Sequence, residues 1–313
     1  VLPGSGKHQP GVVKPNFRSI GRTLIQAPQP GRTKPMGDVW EALPAVVREA
    51  AGRHLGSVES ATAIQVGQNN DFAAVVRGEA GPVFVKAVRG ISRRMRWLRN
   101  ESTAGTLAPG IAPTMIFAED VEVDGDPWLV VGFEHLLGRP ADLASGSVDL
   151  AVVGRMLDRI NVLPAPGVRG LRDRWSVQDW WHRLRGIAPD AVASVDVDQM
   201  HRWASLAPEA VEGDRLVHTD LHGDQFIIGA ADEVHVIDWG FPGAAAEWVD
   251  TAFLVIRLVN AGHTPRDAES WAATRPGWSA DDDALTVRRS CWPPRRRRTS
   301  CVRYGRPLTS TTA

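Results

Sequence analysis

Cysteine is almost missing from this chain. Of 313 residues only Cys291 and Cys301 are cysteines, both late, which excludes a disulfide framework and a cysteine-based zinc site. Long apolar runs are missing too. The best candidate, 244–259, is interrupted by Glu247, Asp250 and Arg257, short of the roughly 18 uncharged residues a membrane helix needs. The first residues lack the apolar segment of a secretory signal, so the sequence predicts a cytoplasmic protein with no membrane partner. With 43% hydrophobic and 23% charged residues, the chain is long enough and ordinary enough to fold around real cores.

Acid is absent from both ends. Residues 1–35 carry six basic residues and 288–313 carry eight, so the net charge of zero hides a body, 36–287, with 22 basic and 36 acidic residues and a formal charge of −14. Such a body attracts cations and repels nucleic acid, so no nucleic-acid partner is expected. The Pro- and Gly-rich stretch 1–35 reads as a disordered basic extension and 288–313 as a disordered basic tail. The chain begins with Val, and its first Met, Met36, stands where amphipathic patterning begins, so natural translation is expected to start there.

What is present falls into two halves. Apolar spacing predicts a helix over 39–55, strands at 61–66, 72–76 and 83–88, a helix over 93–107, and strands at 115–118 and 128–133. Beyond 147 the period becomes helical (147–160, 177–186, 196–207, 245–262), with short strands at 216–217, 226–228 and 234–237. A small antiparallel sheet followed by a mainly helical half makes an α+β chain in two lobes, joined near 132–140.

Lysine is as scarce as cysteine in the body: Lys86 stands alone among 21 arginines. It lies in Val83-Phe84-Val85-Lys86-Ala87-Val88, an otherwise apolar strand. An edge lysine with its head in water is the bland reading. An edge would accept arginine equally well, whereas a site needing a compact ammonium on phosphate oxygens would not. Glu101, on the helix predicted over 93–107, is placed to pair with it or to lie on the surface. The turn 67–71, Gly-Gln-Asn-Asn-Asp, suits phosphate contacts by backbone N–H groups and equally suits any hairpin.

The densest chemistry is Val217-His218-Thr219-Asp220-Leu221-His222-Gly223-Asp224-Gln225-Phe226. Eighteen residues past Asp220, Asp238 ends an apolar strand in Val236-Ile237-Asp238-Trp239-Gly240. Carboxylates at strand ends supply what phosphoryl transfer needs: one to orient a nucleophilic hydroxyl and oxygen ligands for Mg²⁺. A transition-metal site from His218, Asp220, His222, Asp224 and His235 is the competing reading. Gly223 and the flanking strands oppose the helix such a His pair would need, and no His-Glu-x-x-His is present. A hydrogen-bonded turn explains one aspartate but not the loop, Asp238 and Lys86 together. Asp142, Asp149 and Glu247 are further acids that sequence alone does not place.

His218-x-Asp220-x-x-x-x-Gln225 followed by Ile237-Asp238-Trp239 resembles the catalytic and metal motifs of the aminoglycoside phosphotransferase and choline-kinase superfamily. The family pattern is His-x-Asp-x-x-x-x-Asn, then Ile-Asp-Trp or Ile-Asp-Phe, and the resemblance spans roughly residues 40–275. It implies a bilobal protein-kinase-like fold, with a nucleotide-binding N-lobe over 36–134 and a catalytic, substrate-binding C-lobe over 135–287. It implies ATP and Mg²⁺ as cofactors. By the same resemblance Asp220 is the catalytic base, and Lys86 contacts the α- and β-phosphates, held by Glu101. Phe133 and His135 flank the backbone that holds adenine, Asp238 and Gln225 ligate Mg²⁺, Asp250 supports the catalytic loop and His218 braces it. Gln225 replaces the family's asparagine, offering the same carbonyl oxygen one methylene further out, and Asp224 beside it offers another oxygen. The implied activity is transfer of the γ-phosphate to a hydroxyl of a small amino or sugar alcohol. The alternative is a nucleotide-binding homologue without transfer. A protein kinase is disfavoured, for the chain has no His-Arg-Asp, Asp-Phe-Gly and Ala-Pro-Glu set.

Overall fold

Alternation along one strand sets the geometry of the first lobe. In the computed structural model, which describes residues 38–64, 69–174 and 179–278, Val83, Val85 and Ala87 face one side of a sheet and Phe84, Lys86 and Val88 the other, as the two-residue period of a strand dictates. The basic stretches 1–35 and 288–313, Gly67 and Gln68 of the polar turn, and the first residues of the helix expected at 177 lie outside the described residues.

The chain opens with α1 (Asp38–Glu41) and α2 (Ala45–Leu55). The single helix expected over 39–55 is divided because Pro44 has no N–H to donate and disfavours helical backbone before it. Instead its carbonyl starts α2, accepting from Val47 and Arg48. Strands β1 (Ser60–Ala63), β2 (Phe72–Gly78), β3 (Gly81–Arg89), β4 (Met115–Val123) and β5 (Asp126–Glu134) form an antiparallel sheet in the order β1-β2-β3-β5-β4. The last two are longer than expected, since Asp124-Gly125, both at positive φ, close them into a tight hairpin. On one face, Val47, Ala51 and Leu55 of α2 pack with Phe72, Val76, Val85 and Val130. On the other, α3 (Arg93–Ser102), started by the Ser92 hydroxyl accepting from Met95 N–H at 3.3 Å, packs Met95 and Leu98 on Val88, Leu129 and Val131. The helix expected to run to 107 breaks at Thr103 and resumes as α4 (Ala104–Leu107).

The second lobe begins beyond β5 with β6 (Arg139–Pro140) and α5 (Asp149–Asn161). Helices α6 (Trp180–Ile187), α7 (Val197–Ser205) and α8 (Ala207–Ala210) follow. Then come β7 (Arg215–Val217), β8 (Phe226–Ile228), β9 (Val234–Val236), β10 (Gly243–Ala245), α9 (Val249–Asn260) and α10 (Pro265–Ala272). The strands pair as β6-β8-β9 and β10-β7. The helix expected from 245 starts only at Val249, because Ala244 and Ala245 pair with Leu216 and Arg215. The core of this lobe joins Val153, Leu157 and Ile160 of α5 to Leu254 and Leu258 of α9, with Phe226 and the fully buried Trp239 between them. Among the described residues no helix is long and apolar enough to cross a membrane.

Candidate active site between the lobes

Lys86 is buried, its side chain 6% exposed, and it sits on the α3 side of the sheet. Its ammonium donates to Glu101 Oε1 at 2.7 Å and to Asp238 Oδ1 at 2.8 Å. The reading of an edge lysine with its head in water therefore fails: α3 covers this face and brings Glu101 to it. Burial alone would drive the lysine toward neutrality, but the adjacent charges of Asp238 and Glu101 reverse this and raise its pKa. Burial raises the Glu101 carboxyl, with Lys86 opposing, whereas at Asp238 the Lys86 charge overcomes burial and lowers it. Three groups from β3, α3 and the turn after β9 thus hold one cation between two carboxylates.

The loop after β7 is fixed from below by Asp250, the second residue of α9. Its buried carboxylate accepts from the His218 N–H at 2.7 Å and the Thr219 N–H at 2.8 Å. Burial pushes Asp250 up to about 6. Thr219 stands at φ 68, unusual for a β-branched residue, and its hydroxyl donates to Phe241 O at 2.8 Å. His218 is wholly buried. Its Nε2 donates to Ile237 O at 2.9 Å, its Nδ1 accepts from the Asp220 N–H at 3.3 Å, and its ring meets Trp239 edge-on. Burial lowers its pKa to about 4, so the imidazole is neutral and serves as a strut. Asp238 is likewise left-handed, at φ 64, which turns its carboxylate back toward Lys86.

Asp220 emerges from this frame partly exposed, with Arg257 Nη2 donating to its Oδ1 at 3.0 Å. Gln225 is buried, and its amide oxygen accepts from the His222 N–H at 3.1 Å, completing a reciprocal cap with the His222 ring. An amide oxygen has a second lone pair, so this bond does not preclude a cation. The competing transition-metal cluster does not assemble. Both His218 ring nitrogens are engaged, and among the described residues the carboxylate–imidazole group with metal-ligand spacing lies elsewhere, at Asp179, His182 and His201.

Between the lobes runs a cleft whose apolar walls are Ile64, Val75, Phe84 and Ile237 and whose floor is Lys86, Glu101 and Asp238. Phe133 and His135 line it where the chain leaves β5. His135 Nδ1 is shielded from solvent and has no hydrogen-bond partner, and burial lowers the ring's pKa, leaving a neutral imidazole at the cleft wall. A second, more polar hollow lies beside the loop, lined by His222, Gly223, Asp224, Arg257 and Asn260. Asp149 is in neither, because Arg139 holds it bidentately. Asp142 turns back to accept from the Ala144 N–H at 2.9 Å.

Arg257 is the site residue that sequence reading missed. The available signal was spacing: Asp250 and Arg257 are seven apart on α9, hence on one face two turns from each other.

No protein-family model matches the chain, and no curated protein matches its sequence. Solved structures do match its fold. A spectinomycin phosphotransferase in complex with ADP and spectinomycin is 16% identical, over 77% of this chain and 82% of that one, with a TM-score of 0.50. A microcompartment-associated aminopropanol kinase is 16% identical, over 79% of this chain and 87% of that one, with a TM-score of 0.52. The chain therefore has the bilobal kinase-like fold of small-molecule phosphotransferases, as the sequence motifs implied.

Proposed function

We propose that this chain is an ATP-dependent phosphotransferase that moves the γ-phosphate to a hydroxyl of a small amino or sugar alcohol. The observation that carries the reading is the convergence of Lys86, Glu101 and Asp238, separated by 15 and 152 residues in sequence, on the floor of an apolar interlobe cleft. A buried ammonium has three N–H donors. Two hold carboxylates and the third is left for a phosphate oxygen. The flat apolar walls suit a purine, and the unpartnered His135 Nδ1 suits a heterocycle with hydrogen-bonding edges.

The oxygen donors suit a hard divalent cation: Asp238 on the turn after β9, and Asp224 and Gln225 at the end of the loop after β7. Bound there, Mg²⁺ would neutralise the phosphate charge that builds during transfer. The rest is assigned to the chain. Asp220 accepts the proton of the acceptor hydroxyl as that oxygen bonds to the γ-phosphorus. The bond from that phosphorus to the β–γ bridging oxygen breaks, and ADP keeps the electron pair. Asp250 and His218 hold Asp220 in position, so that most of the rate gain comes from orientation and charge neutralisation.

A second reading, a nucleotide binder without transfer, draws support from one observation. Arg257 pairs with Asp220 while Lys86 pairs with Asp238, so a cation occupies each carboxylate assigned to the chemistry. The test is Mg²⁺-dependent ATP consumption by the full chain against aminoglycosides, macrolides, amino alcohols and sugars. Acceptor-dependent ADP release should fall by about 10²–10⁴-fold in Asp220→Ala, the range for a lost general base, with ATP binding intact. Binding without turnover for any acceptor would favour the second reading. A folded chain that binds no nucleotide would discard both.

A further inference from the structure

Away from the cleft, helices α6 and α7 pack on each other around a small apolar cluster of their own, Trp181, Val192 and Val197. At one edge of this pair three side chains converge. Asp179 caps α6, accepting from the His182 N–H at 3.3 Å, which fixes its carboxylate. The same oxygen lies 2.5 Å from His182 Nδ1 and 3.4 Å from His201 Nδ1 on α7. His201 Nδ1 is shielded from solvent and makes no hydrogen bond. On its outer side His182 is held by Asp198, whose Oδ1 lies 2.6 Å from Nε2.

We propose that Asp179, His182 and His201 form a zinc site that staples α6 to α7. The donor set, two imidazole nitrogens and one carboxylate oxygen, is that of borderline divalent ions. Metal–ligand bonds of about 2.0–2.1 Å at tetrahedral angles put neighbouring ligand atoms about 3.3 Å apart. The Asp179–His201 separation already meets this, and the three ligand atoms lie within 4.8 Å of one another. The ion enters by opening the Asp179–His182 contact by less than about 1 Å, within ordinary side-chain adjustment. Asp198 then acts as the outer carboxylate that orients a ligating histidine and raises its basicity. The Asp179 side chain is half exposed and that of His182 about a quarter, so the ion has a path from solvent on the Asp179 side and a water can complete the shell. The site is separate from the cleft and independent of the proposed phosphotransfer.

The experiment is zinc titration of the full chain, stripped with chelator, followed by calorimetry and by thermal unfolding. Wild type should take up one equivalent and unfold at a higher temperature when loaded. His182→Ala/His201→Ala should lose that equivalent and that shift, and Asp198→Asn should bind about 10–100-fold more weakly, as outer-shell losses do. Co²⁺ in place of zinc should give the visible absorption of a four-coordinate site in wild type and not in the double variant. That readout holds even if the variant's stability changes. Unaltered zinc stoichiometry and affinity in a folded double variant, or no zinc uptake by wild type, would overturn the site and leave an ordinary ion-pair cluster.

Discussion

Lys86 shows how much one residue can disclose. It was legible in the sequence because arginine is the default cation of this body, so the exception needed a reason. Arg257 was overlooked for the converse reason: it is one arginine among many, and its seven-residue spacing from Asp250 does not say that the folded loop brings Asp220 to it. The Lys86 triad also carries a stability prediction. Removing its ammonium leaves the largely buried Glu101 carboxylate and the half-buried Asp238 carboxylate facing each other, and breaking such a pair from one side destabilises, by up to about 3–5 kcal/mol where burial is complete. Lys86→Met should therefore lower the urea midpoint sharply. Lys86→Met/Glu101→Gln should recover part of the loss, because one of the two uncompensated charges is gone. Equal instability of the single and double variants would mean that packing, not charge, dominates here. A second prediction concerns pH. His218, held at about 4 by burial, is neutral in the fold and protonates more readily when unfolded. Its contribution is present above about pH 6.5 and is lost as pH falls toward 4. Asp250, raised to about 6, acts in the opposite sense: its buried charge opposes folding above pH 6, and that opposition is relieved as pH falls toward about 4. The two partly cancel in wild type. Measured from pH 7 to 4.5, His218→Gln should lose less stability than wild type and Asp250→Asn should lose more. Parallel curves for all three proteins would refute the assignment.

At the scale of elements, the periodic signals carried the large pieces and failed at the joints. The sheet strands and α5 were readable because their buried faces repeat. Pro44 divided one predicted helix, and β10 took the first residues of another, since pairing with β7 is a tertiary gain that no local period encodes. Strand β6 is two residues long and was invisible, yet Ala141, the residue after it, holds the loop 218–226: its N–H donates to Gly223 O at 3.2 Å and to Phe226 O at 3.0 Å. Gly223 is required at this crossing. A Cβ there would stand 2.6 Å from the Ala141 carbonyl oxygen, a backbone atom with little freedom to move. Gly223→Ala should push the segment carrying Asp224 and Gln225 away from β6. The expected destabilisation is about 1–3 kcal/mol, the range for overpacking, together with a higher Mg²⁺ concentration for half-maximal ATP turnover. Unchanged Mg²⁺ dependence would show that the loop absorbs the shift without disturbing its oxygen donors.

For the whole molecule, the change from strand to helical periods near residue 147 foretold two lobes, but not the seam between them. That seam depends on side chains meeting across more than a hundred residues. Lys86 reaches Asp238, Asn100 Nδ2 donates to Gly240 O at 3.0 Å, and Trp97 packs on Phe241 with ring centroids 4.7 Å apart. On the main chain, Val236 N–H donates to Ile111 O at 2.8 Å. Most of these contacts end on the turn 238–241, so the segment bearing the proposed metal ligand also fastens the lobes. A nucleotide in the cleft would touch both sides of this seam and should stabilise the chain as a unit. At a hundred times its dissociation constant, a ligand that binds only the folded state adds about 2.7 kcal/mol. ATP with Mg²⁺ should therefore raise the unfolding temperature in one cooperative transition, and ATP without Mg²⁺ should raise it less. Lys86→Met should abolish the response, whereas Asp220→Ala, which touches the acceptor and not the nucleotide in the proposed mechanism, should keep it. If Asp220→Ala lost the response as fully as Lys86→Met, the division of labour between a nucleotide side and an acceptor side of this cleft would be wrong, even where turnover assays agreed with it.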